Sequence, residues 1–129
     1  MPLAKDLKVL VVDDQLSMRQ LARYGLAQIG ITQVEDVPNG LAAISSLEGR
    51  PVHVVMSDYN MPGMTGLELL QKIRAHQTLR KTPFILITGR GDRELVMKAA
   101  QAGANNFIVK PFSNSVLKTK IEAVVGKLG

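Results

Sequence analysis

The chain has 129 residues, of which 46% are hydrophobic and 21% are charged, a composition typical of one globular domain with a buried core. It excludes a long disordered chain, which would contain few hydrophobic residues and many unbalanced charges. The sequence has no cysteine, and this excludes disulfide bonds, thiol catalysis and cysteine-ligated zinc. No apolar run is long enough to cross a bilayer, and Lys5, Asp6 and Lys8 interrupt the region where a secretory signal would lie. We therefore expect a single domain over residues 1–129, located in the cytoplasm and without a membrane span.

Charge is distributed unevenly along the sequence. Residues 1–68 contain five Lys or Arg and eight acidic residues, whereas residues 69–129 contain eleven Lys or Arg and three acidic residues. This division predicts an acidic site in the first half and a basic surface in the second. A basic surface suits an acidic protein partner, a nucleic acid or an anionic membrane. Because only two Tyr and three Phe are present to stack on bases, a protein partner, or solubility alone, is favoured.

Short apolar runs rich in β-branched residues alternate with segments whose apolar residues recur at helical spacing. The predicted strands are residues 8–12, 32–37, 52–57, 84–88 and 106–109. The predicted helices lie near residues 16–29, 41–47, 67–74, 93–102 and 116–125. Because parallel strands require crossover helices, this alternation predicts a doubly wound α/β fold, with helices on both faces of a five-stranded parallel sheet.

Polar residues follow the predicted strands at the edge where such sheets place their functional crevice. These residues are Asp13 and Asp14 after the first strand, Asp58 and Asn60 at the third, Thr88 at the fourth and Lys110 after the fifth. At ~4 Å and an effective dielectric constant of ~20, each pair of carboxylates would repel by about 4 kcal/mol. The repulsion requires either a raised pKa or a bound cation. An all-oxygen set of this kind suits Mg²⁺.

The same residues suggest a chemistry. A carboxylate can act as a nucleophile and form an aspartyl phosphate. Phosphoryl transfer needs little beyond alignment and neutralisation of charge by a metal, a lysine and a hydroxyl donor. The predicted site contains each of these protein groups.

Four segments carry a resemblance to a known family. VVDD (residues 11–14), SDYNMPGMTGLELL (57–70), LITG (86–89) and FIVKPF (107–112) resemble the receiver domain of two-component response regulators. Within that family the chain is similar to the CheY-like single-domain chemotaxis regulators over essentially its whole length. The resemblance implies a single-domain (βα)5 flavodoxin-like fold with strand order 2-1-3-4-5.

The resemblance also implies the roles of the acidic residues. Asp58 would accept a phosphoryl group from a phosphohistidine on a partner histidine kinase. Asp14, Asp58 and the main-chain carbonyl of Asn60 would hold Mg²⁺, and Asp13 would act mainly through water. The expected activity is self-phosphorylation and autodephosphorylation, without turnover of a metabolite.

The remaining implied roles concern phosphoryl binding and output. Thr88 and Lys110 would contact the phosphoryl oxygens, and the family carries a cis peptide at the Lys110-Pro111 position. Thr88 and Phe107 would act as the switch that reshapes a face made by the fourth helix, the fifth strand and the fifth helix. The residues predicted to form this output face are Arg90, Gly91, Arg93, Val96, Phe107 and Lys120. The implied partner is a downstream protein such as the flagellar motor switch, with a monomeric chain and no DNA-binding domain.

Two departures from the family pattern leave the output open among motor binding, a phosphate sink and another pathway. Phe107 stands where motor-binding relatives often have Tyr, so the ring has no hydroxyl group to form a hydrogen bond. Gly89-Arg90-Gly91 makes a flexible loop that places a cation two residues after Thr88.

Two other functions remain as alternatives at this stage. A small Mg²⁺-dependent phosphohydrolase of the haloacid-dehalogenase type also uses an aspartate nucleophile, but that aspartate lies on the first strand in an Asp-x-Asp motif. A basic module could instead bind a nucleotide or nucleic acid through residues 80–98. Neither His53 nor His76 has an evident partner in the sequence, and neither is assigned a role.

Overall fold

The computed structural model describes residues 3–89 and 93–129 as a five-stranded parallel sheet flanked by helices, after a short 3₁₀ turn at Ala4–Asp6. The strands are β1 (Lys8–Val12), β2 (Gln33–Val37), β3 (Val54–Asp58), β4 (Phe84–Thr88) and β5 (Asn106–Val109). The helices are α1 (Leu16–Gln28), α2 (Gly40–Gly49), α3 (Gly66–Ala75), α4 (Arg93–Gln101) and α5 (Asn114–Val125). The strand order is β2-β1-β3-β4-β5, and every described pair is parallel. The predicted doubly wound (βα)5 fold is confirmed.

The three inner strands are apolar except near their ends, because both of their faces are covered. Every residue of β3 and β4 is buried, and β1 is buried after its first residue, Lys8. Val9 of β1 pairs with Val54 of β3, and Val55 pairs with Phe84 of β4, so the carboxyl ends of these strands form one edge. This register places the strand-end residues of the sequence side by side.

Each face of the sheet carries its own hydrophobic core. On one face α1 and α5 pack over the sheet, with core residues that include Val9, Val11, Leu26, Ile85, Ile108, Leu117 and Ile121. On the other face α2, α3 and α4 pack over it, with core residues that include Leu10, Leu47, Val55, Leu70, Leu86 and Ala99. The helical spacing of the apolar residues thus reflects one buried face on each helix.

β3 begins two residues later than the sequence predicts. His53 is exposed and its ring Nδ1 accepts a hydrogen bond of 2.9 Å from the Lys8 main-chain N–H. The imidazole ring therefore takes the Lys8 N–H that would otherwise donate to a main-chain carbonyl of β3. Regular pairing with β1 starts at Val54. The predicted start of this strand at residue 52 is therefore wrong.

Arg74, at the end of α3, joins three segments at the edge of the sheet opposite the strand-end residues. Its guanidinium donates to the main-chain carbonyls of Arg80, Thr82 and Gly103 and to the side chain of Asn105. Burial lowers the pKa of Arg74 from its usual value. The residue therefore acts as a clamp between α3 and the loops that precede β4 and β5.

Hydropathy gives no sign of a membrane-spanning element in the part of the chain that the structure describes. No helix within residues 3–89 and 93–129 has both the length and the apolar character needed to cross a bilayer.

Candidate functional site

An open cleft lies at the carboxyl ends of β1, β3 and β5, with a volume of about 500 Å³. The residues lining it are Asp14, Gln15, Asp58, Asn60, Met61, Pro62, Gly89 and Lys110. Four of the residues predicted to bind metal or phosphoryl groups therefore share one cavity, although they are up to 96 positions apart in the sequence.

Three carboxylates meet at this cleft. One oxygen from each of Asp13, Asp14 and Asp58 lies within 4.8 Å of the others. Asp13 and Asp58 are each only 6% exposed, whereas Asp14 is exposed to solvent. Lys110 places its Nζ 3.0 Å from Oδ1 of Asp58. The site thus combines an acidic cluster with one cation that contacts the central carboxylate.

The pKa of Asp13 reflects both its burial and the charges around it. Burial raises the pKa of Asp13 above its ordinary value, and the charges of Asp58 and Asp14 raise it further. A hydrogen bond of 3.0 Å from the Gln15 main-chain N–H and the charge of Lys110 act in the opposite direction. Removing the Asp13 carboxylate from water disfavours its charged form unless a cation compensates.

The donor set fits a hard divalent cation. Three carboxylates outnumber the single ammonium group of Lys110 in the described cleft, which leaves an excess of negative charge. All of the clustered ligand atoms are oxygens, and the cleft is open enough for bound waters to remain. Asn60 lies in the wall of the same cleft, where its main-chain carbonyl can contribute a further oxygen.

The backbone of Asp58 is held by close packing against α3. The main-chain N–H of Gly66 donates to the Tyr59 carbonyl at 2.8 Å, and α3 begins in a capping box formed by Thr65 and Glu68. A Cβ on Gly66 would lie 2.9 Å from Leu86 Cδ1 and would overlap the carbonyl oxygen of Asp58. This role of Gly66 was not predicted from the sequence, where the only signal is the position of Gly66 directly after the capping residue.

A second residue missed by the sequence analysis is Arg19 on α1. Its Nη1 donates to the main-chain carbonyl of Asp13 at 2.7 Å, and its Nε donates to Asp36 of β2 at 2.7 Å. No sequence motif links these three positions, because the contact depends on how α1 crosses the edge of the sheet.

Thr88 ends β4, and Lys110 directly follows the neighbouring strand β5 and lines the cleft. Thr88 is 4% exposed at the end of β4, and its carbonyl accepts a hydrogen bond of 2.8 Å from the Lys110 N–H. Lys110-Pro111 is a cis peptide bond, as the family resemblance implies. Both predicted phosphoryl-binding side chains are therefore carried on backbone that is joined directly across β4 and β5.

The predicted output residues lie in part beside β5. Phe107 is half-buried, and the Lys120 ammonium lies 4.3 Å from the centroid of its ring. Phe107 and Val96 line a cavity of about 250 Å³ between α4 and β5, and Arg93 is exposed at the start of α4. Arg90 and Gly91, which were also predicted to belong to this face, lie outside the described residues.

His76 has a defined environment that the sequence did not indicate. Its Nε2 lies 2.9 Å from a carboxylate oxygen of Glu48, and its Nδ1 accepts from the main-chain N–H groups of Thr78 and Leu79. These contacts were not predicted from the sequence, which assigned no acid–base role to His76. It acts as a structural contact between α2 and the turn after α3, away from the cleft.

Comparisons with known proteins agree with this geometry. The family described as response regulator receiver domain matches residues 9–122. A probable chemotaxis protein CheY of Rhizobium etli is 43% identical over 128 residues, which is 99% of both chains. The structure of chemotaxis protein CheY4 of Vibrio cholerae superposes with a TM-score of 0.85 at 32% identity, covering 92% of this chain and 98% of that one. The receiver domain of sensor histidine kinase PA1611 of Pseudomonas aeruginosa, described with a magnesium ion in its active-site cleft, gives a TM-score of 0.81 at 27% identity, covering 94% and 98%. Together with the strand-end cluster, these matches show that the chain belongs to the response regulator receiver domain family.

Proposed function

We propose that this chain is a chemotaxis response regulator that accepts a phosphoryl group from a histidine kinase on Asp58. One observation carries the proposal: Asp58 is at once in contact with Lys110, at 3.0 Å, and clustered with two further carboxylates in an open cleft. A nucleophilic carboxylate next to a cation, with a candidate metal site beside it, has the groups that phosphoryl transfer requires.

In the proposed reaction, a carboxylate oxygen of Asp58 attacks the phosphorus of a phosphohistidine. The new oxygen–phosphorus bond forms as the nitrogen–phosphorus bond breaks, and the imidazole leaves with the bonding electron pair. Lys110 neutralises charge on the phosphoryl oxygens, and the hydroxyl of Thr88 donates a hydrogen bond to one of them. Receiver domains bind Mg²⁺ at an acidic pocket, and the cluster of Asp13, Asp14 and Asp58 forms a pocket of this kind.

When bound, Mg²⁺ would supply the positive charge that the phosphoryl oxygens require in the transition state. Asp14, Asp58 and the main-chain carbonyl of Asn60 would hold it, and Asp13 would act through water. Asp58 is nearly buried, so a protein donor must bring its phosphohistidine into the cleft rather than draw the aspartate out.

The proposed output is carried by the surface around Phe107, made by α4, β5 and α5. Thr88 pairs with Val109 across β4 and β5, and Phe107 lies two residues earlier on the same face of β5. A movement of the Thr88 side chain can therefore reach the Phe107 ring on one face of the sheet. The name of the Rhizobium etli relative supports chemotaxis as the pathway. We further propose that the chain acts in the cytoplasm as a monomeric single domain and that its downstream partner is a motor-switch protein.

The proposal is tested by labelling with acetyl phosphate in the presence of Mg²⁺. The wild-type protein should gain one phosphoryl group, detected by mass spectrometry, and Asp58→Asn should gain none. Asp6→Asn, which changes an exposed carboxylate outside the cleft, is the matched control and should be labelled like the wild type. Labelling of Asp58→Asn at the wild-type level would refute the assignment.

The output is tested separately by affinity capture. The protein locked by beryllofluoride and Mg²⁺ is compared with the unmodified protein as bait for a purified motor-switch protein. Retention by the locked form alone supports motor binding, since a ligand shifts a conformational equilibrium only through different affinities for the two states. Absence of retention by either form would refute motor binding and leave a phosphate-sink role or another pathway.

A further inference from the structure

An ion-pair network lies on the β2 side of the cleft, outside the cavity itself. Asp36 is the penultimate residue of β2, and its carboxylate contacts two arginines of α1. Arg19 donates from Nε to Oδ2 at 2.7 Å, and Arg23 donates from Nη1 to Oδ1 at 3.1 Å. The Arg19 side chain is 13% exposed, whereas that of Arg23 is 44% exposed. The two arginines therefore share one carboxylate but differ in depth.

The second contact of each arginine distinguishes them. Arg19 donates from Nη1 to the main-chain carbonyl of Asp13 at 2.7 Å, and Arg23 donates to the main-chain carbonyl of Val34 within β2. Only Arg19 reaches the loop that carries the acidic cluster.

The carbonyl that Arg19 contacts belongs to the peptide that joins Asp13 to Asp14. Because a peptide unit is planar, fixing the direction of this carbonyl fixes the position of the Asp14 Cα. The other groups of Asp13 are also held, with its N–H on the Val37 carbonyl at 3.2 Å and its carboxylate on the Gln15 N–H at 3.0 Å. Arg19 restrains the remaining polar group of Asp13, its main-chain carbonyl, directly after the end of β1.

We infer that Arg19 is a positioning residue for the divalent-cation site, an inference that rests on the proposed function of the cleft. Its guanidinium holds the Asp13–Asp14 peptide in the orientation that brings both carboxylates towards Asp58. Its pairing with Asp36 fixes the guanidinium, so the Arg19–Asp36 ion pair sets how well the cluster binds a cation. Groups that orient metal ligands commonly change affinity by roughly 10- to 100-fold when they are removed.

A lysine at position 19 keeps the charge but cannot reproduce this geometry. The planar guanidinium offers donors in a fixed fork, and Arg19 uses two of them on acceptors belonging to different segments. A single ammonium on a flexible stem has no such fork. Arg19→Lys therefore tests geometry with the net charge of the region unchanged.

The test is Mg²⁺ binding by isothermal titration calorimetry, on wild type, Arg19→Lys and Arg23→Lys. Arg19→Lys should weaken Mg²⁺ binding roughly tenfold, while Arg23→Lys, which also alters a contact to Asp36, should bind Mg²⁺ like the wild type. In acetyl phosphate labelling, Arg19→Lys should require correspondingly more Mg²⁺ for the half-maximal rate, with the rate at saturating Mg²⁺ within about twofold of the wild type.

Unchanged Mg²⁺ affinity in Arg19→Lys would overturn the inference. Equal weakening of Mg²⁺ binding in Arg19→Lys and Arg23→Lys would also overturn it, because the effect would then come from the pairing with Asp36 in general and not from the contact of Arg19 with the Asp13 carbonyl. If Arg19→Lys does not fold, Asp36→Asn tests the same claim with both arginines in place, and wild-type affinity in that variant would overturn it. A wild-type protein that binds no Mg²⁺ would instead refute the proposed function, so the two failures are distinguishable.

Discussion

Gly66 is the position at which a single methyl group should disturb both stability and phosphorylation. The added Cβ of Gly66→Ala would overlap the carbonyl oxygen of Asp58 and lie 2.9 Å from Leu86 Cδ1 and 3.0 Å from Tyr59 Cα. Ordinary contacts of a Cβ begin near 3.4 Å. Two of the three neighbours are backbone atoms, so the overlap cannot be relieved by rotating a side chain. Either α3 or the end of β3 has to move by roughly 1 Å.

The size of the effect follows from the packing. Adding a methyl group to a closely packed core costs about 1–3 kcal/mol. For a chain of this length, this corresponds to a lower Tm by about 4 °C per kcal/mol. The movement falls on the backbone of the proposed phosphoacceptor, and a displacement of ~1 Å at a reacting group can slow a reaction by up to about 10²-fold.

Urea unfolding and acetyl phosphate labelling measure the two effects of Gly66→Ala. The matched control is Gly49→Ala at the end of α2, where an added Cβ meets no atom within 4 Å. Alanine is the better helix former by about 1 kcal/mol, so the control should be neutral or stabilising and should label like the wild type. If Gly66→Ala unfolds at the same urea concentration as Gly49→Ala, the packing argument is wrong.

Four further predictions concern other contacts of the structure. The pKa of Asp13 is raised above 3.8, so Asp13 is protonated more readily in the folded, metal-free protein than in the unfolded chain. The free energy of unfolding should therefore fall as the pH rises from the unfolded-state pKa through the raised folded-state pKa. Asp13→Asn should flatten that part of the stability–pH curve, measured by urea unfolding without divalent cations. Arg74→Lys should lower the free energy of unfolding by about 2 kcal/mol, because an ammonium cannot bridge the same carbonyls. Gly103→Ala should also destabilise the protein, because the φ of Gly103 is +101° and the added Cβ would lie 2.9 Å from Arg74 Nε. Lys120→Met should lower the free energy of unfolding by up to about 1 kcal/mol, because the cation–π contact with Phe107 is lost. The ring resonances of Phe107 should also shift in NMR spectra, and an unchanged spectrum would count against that contact.

The sequence was sufficient to predict the sheet and the residues at its functional edge. The inner strands contain runs of apolar residues such as 84–87, and runs of this kind are typical of strands buried on both faces. Once the strands are parallel, their carboxyl ends share one edge, so Asp14, Asp58 and Lys110 had to approach one another. The prediction therefore depended on local pattern and on one topological rule.

The contacts that hold this edge in place could not be read in the same way. Arg19 and Asp36 are ordinary charged residues in the sequence, and their pairing depends on the crossing of α1 over β2. Gly66 looks like a flexible residue, but its role is to let two backbone segments approach. The late start of β3 likewise depends on a ring nitrogen of His53 that replaces a main-chain acceptor. Each is a contact between distant segments, which neither periodicity nor a motif encodes.

The charges of the cleft determine the direction in which each perturbation acts. The carboxylates of Asp13 and Asp58 have oxygens within 4.8 Å, and at an effective dielectric constant of ~20 they repel by about 3 kcal/mol, which Lys110 offsets in part. A proton relieves this repulsion at low pH and a divalent cation relieves it at neutral pH, so acidification should weaken cation binding. A phosphoryl group on Asp58 adds about one negative charge next to the Lys110 ammonium, which must then turn towards the phosphoryl oxygens. The Lys110 N–H is bonded to the Thr88 carbonyl, and Lys110 directly follows β5, the strand that carries Phe107. This rearrangement therefore begins next to the strand of the proposed output surface.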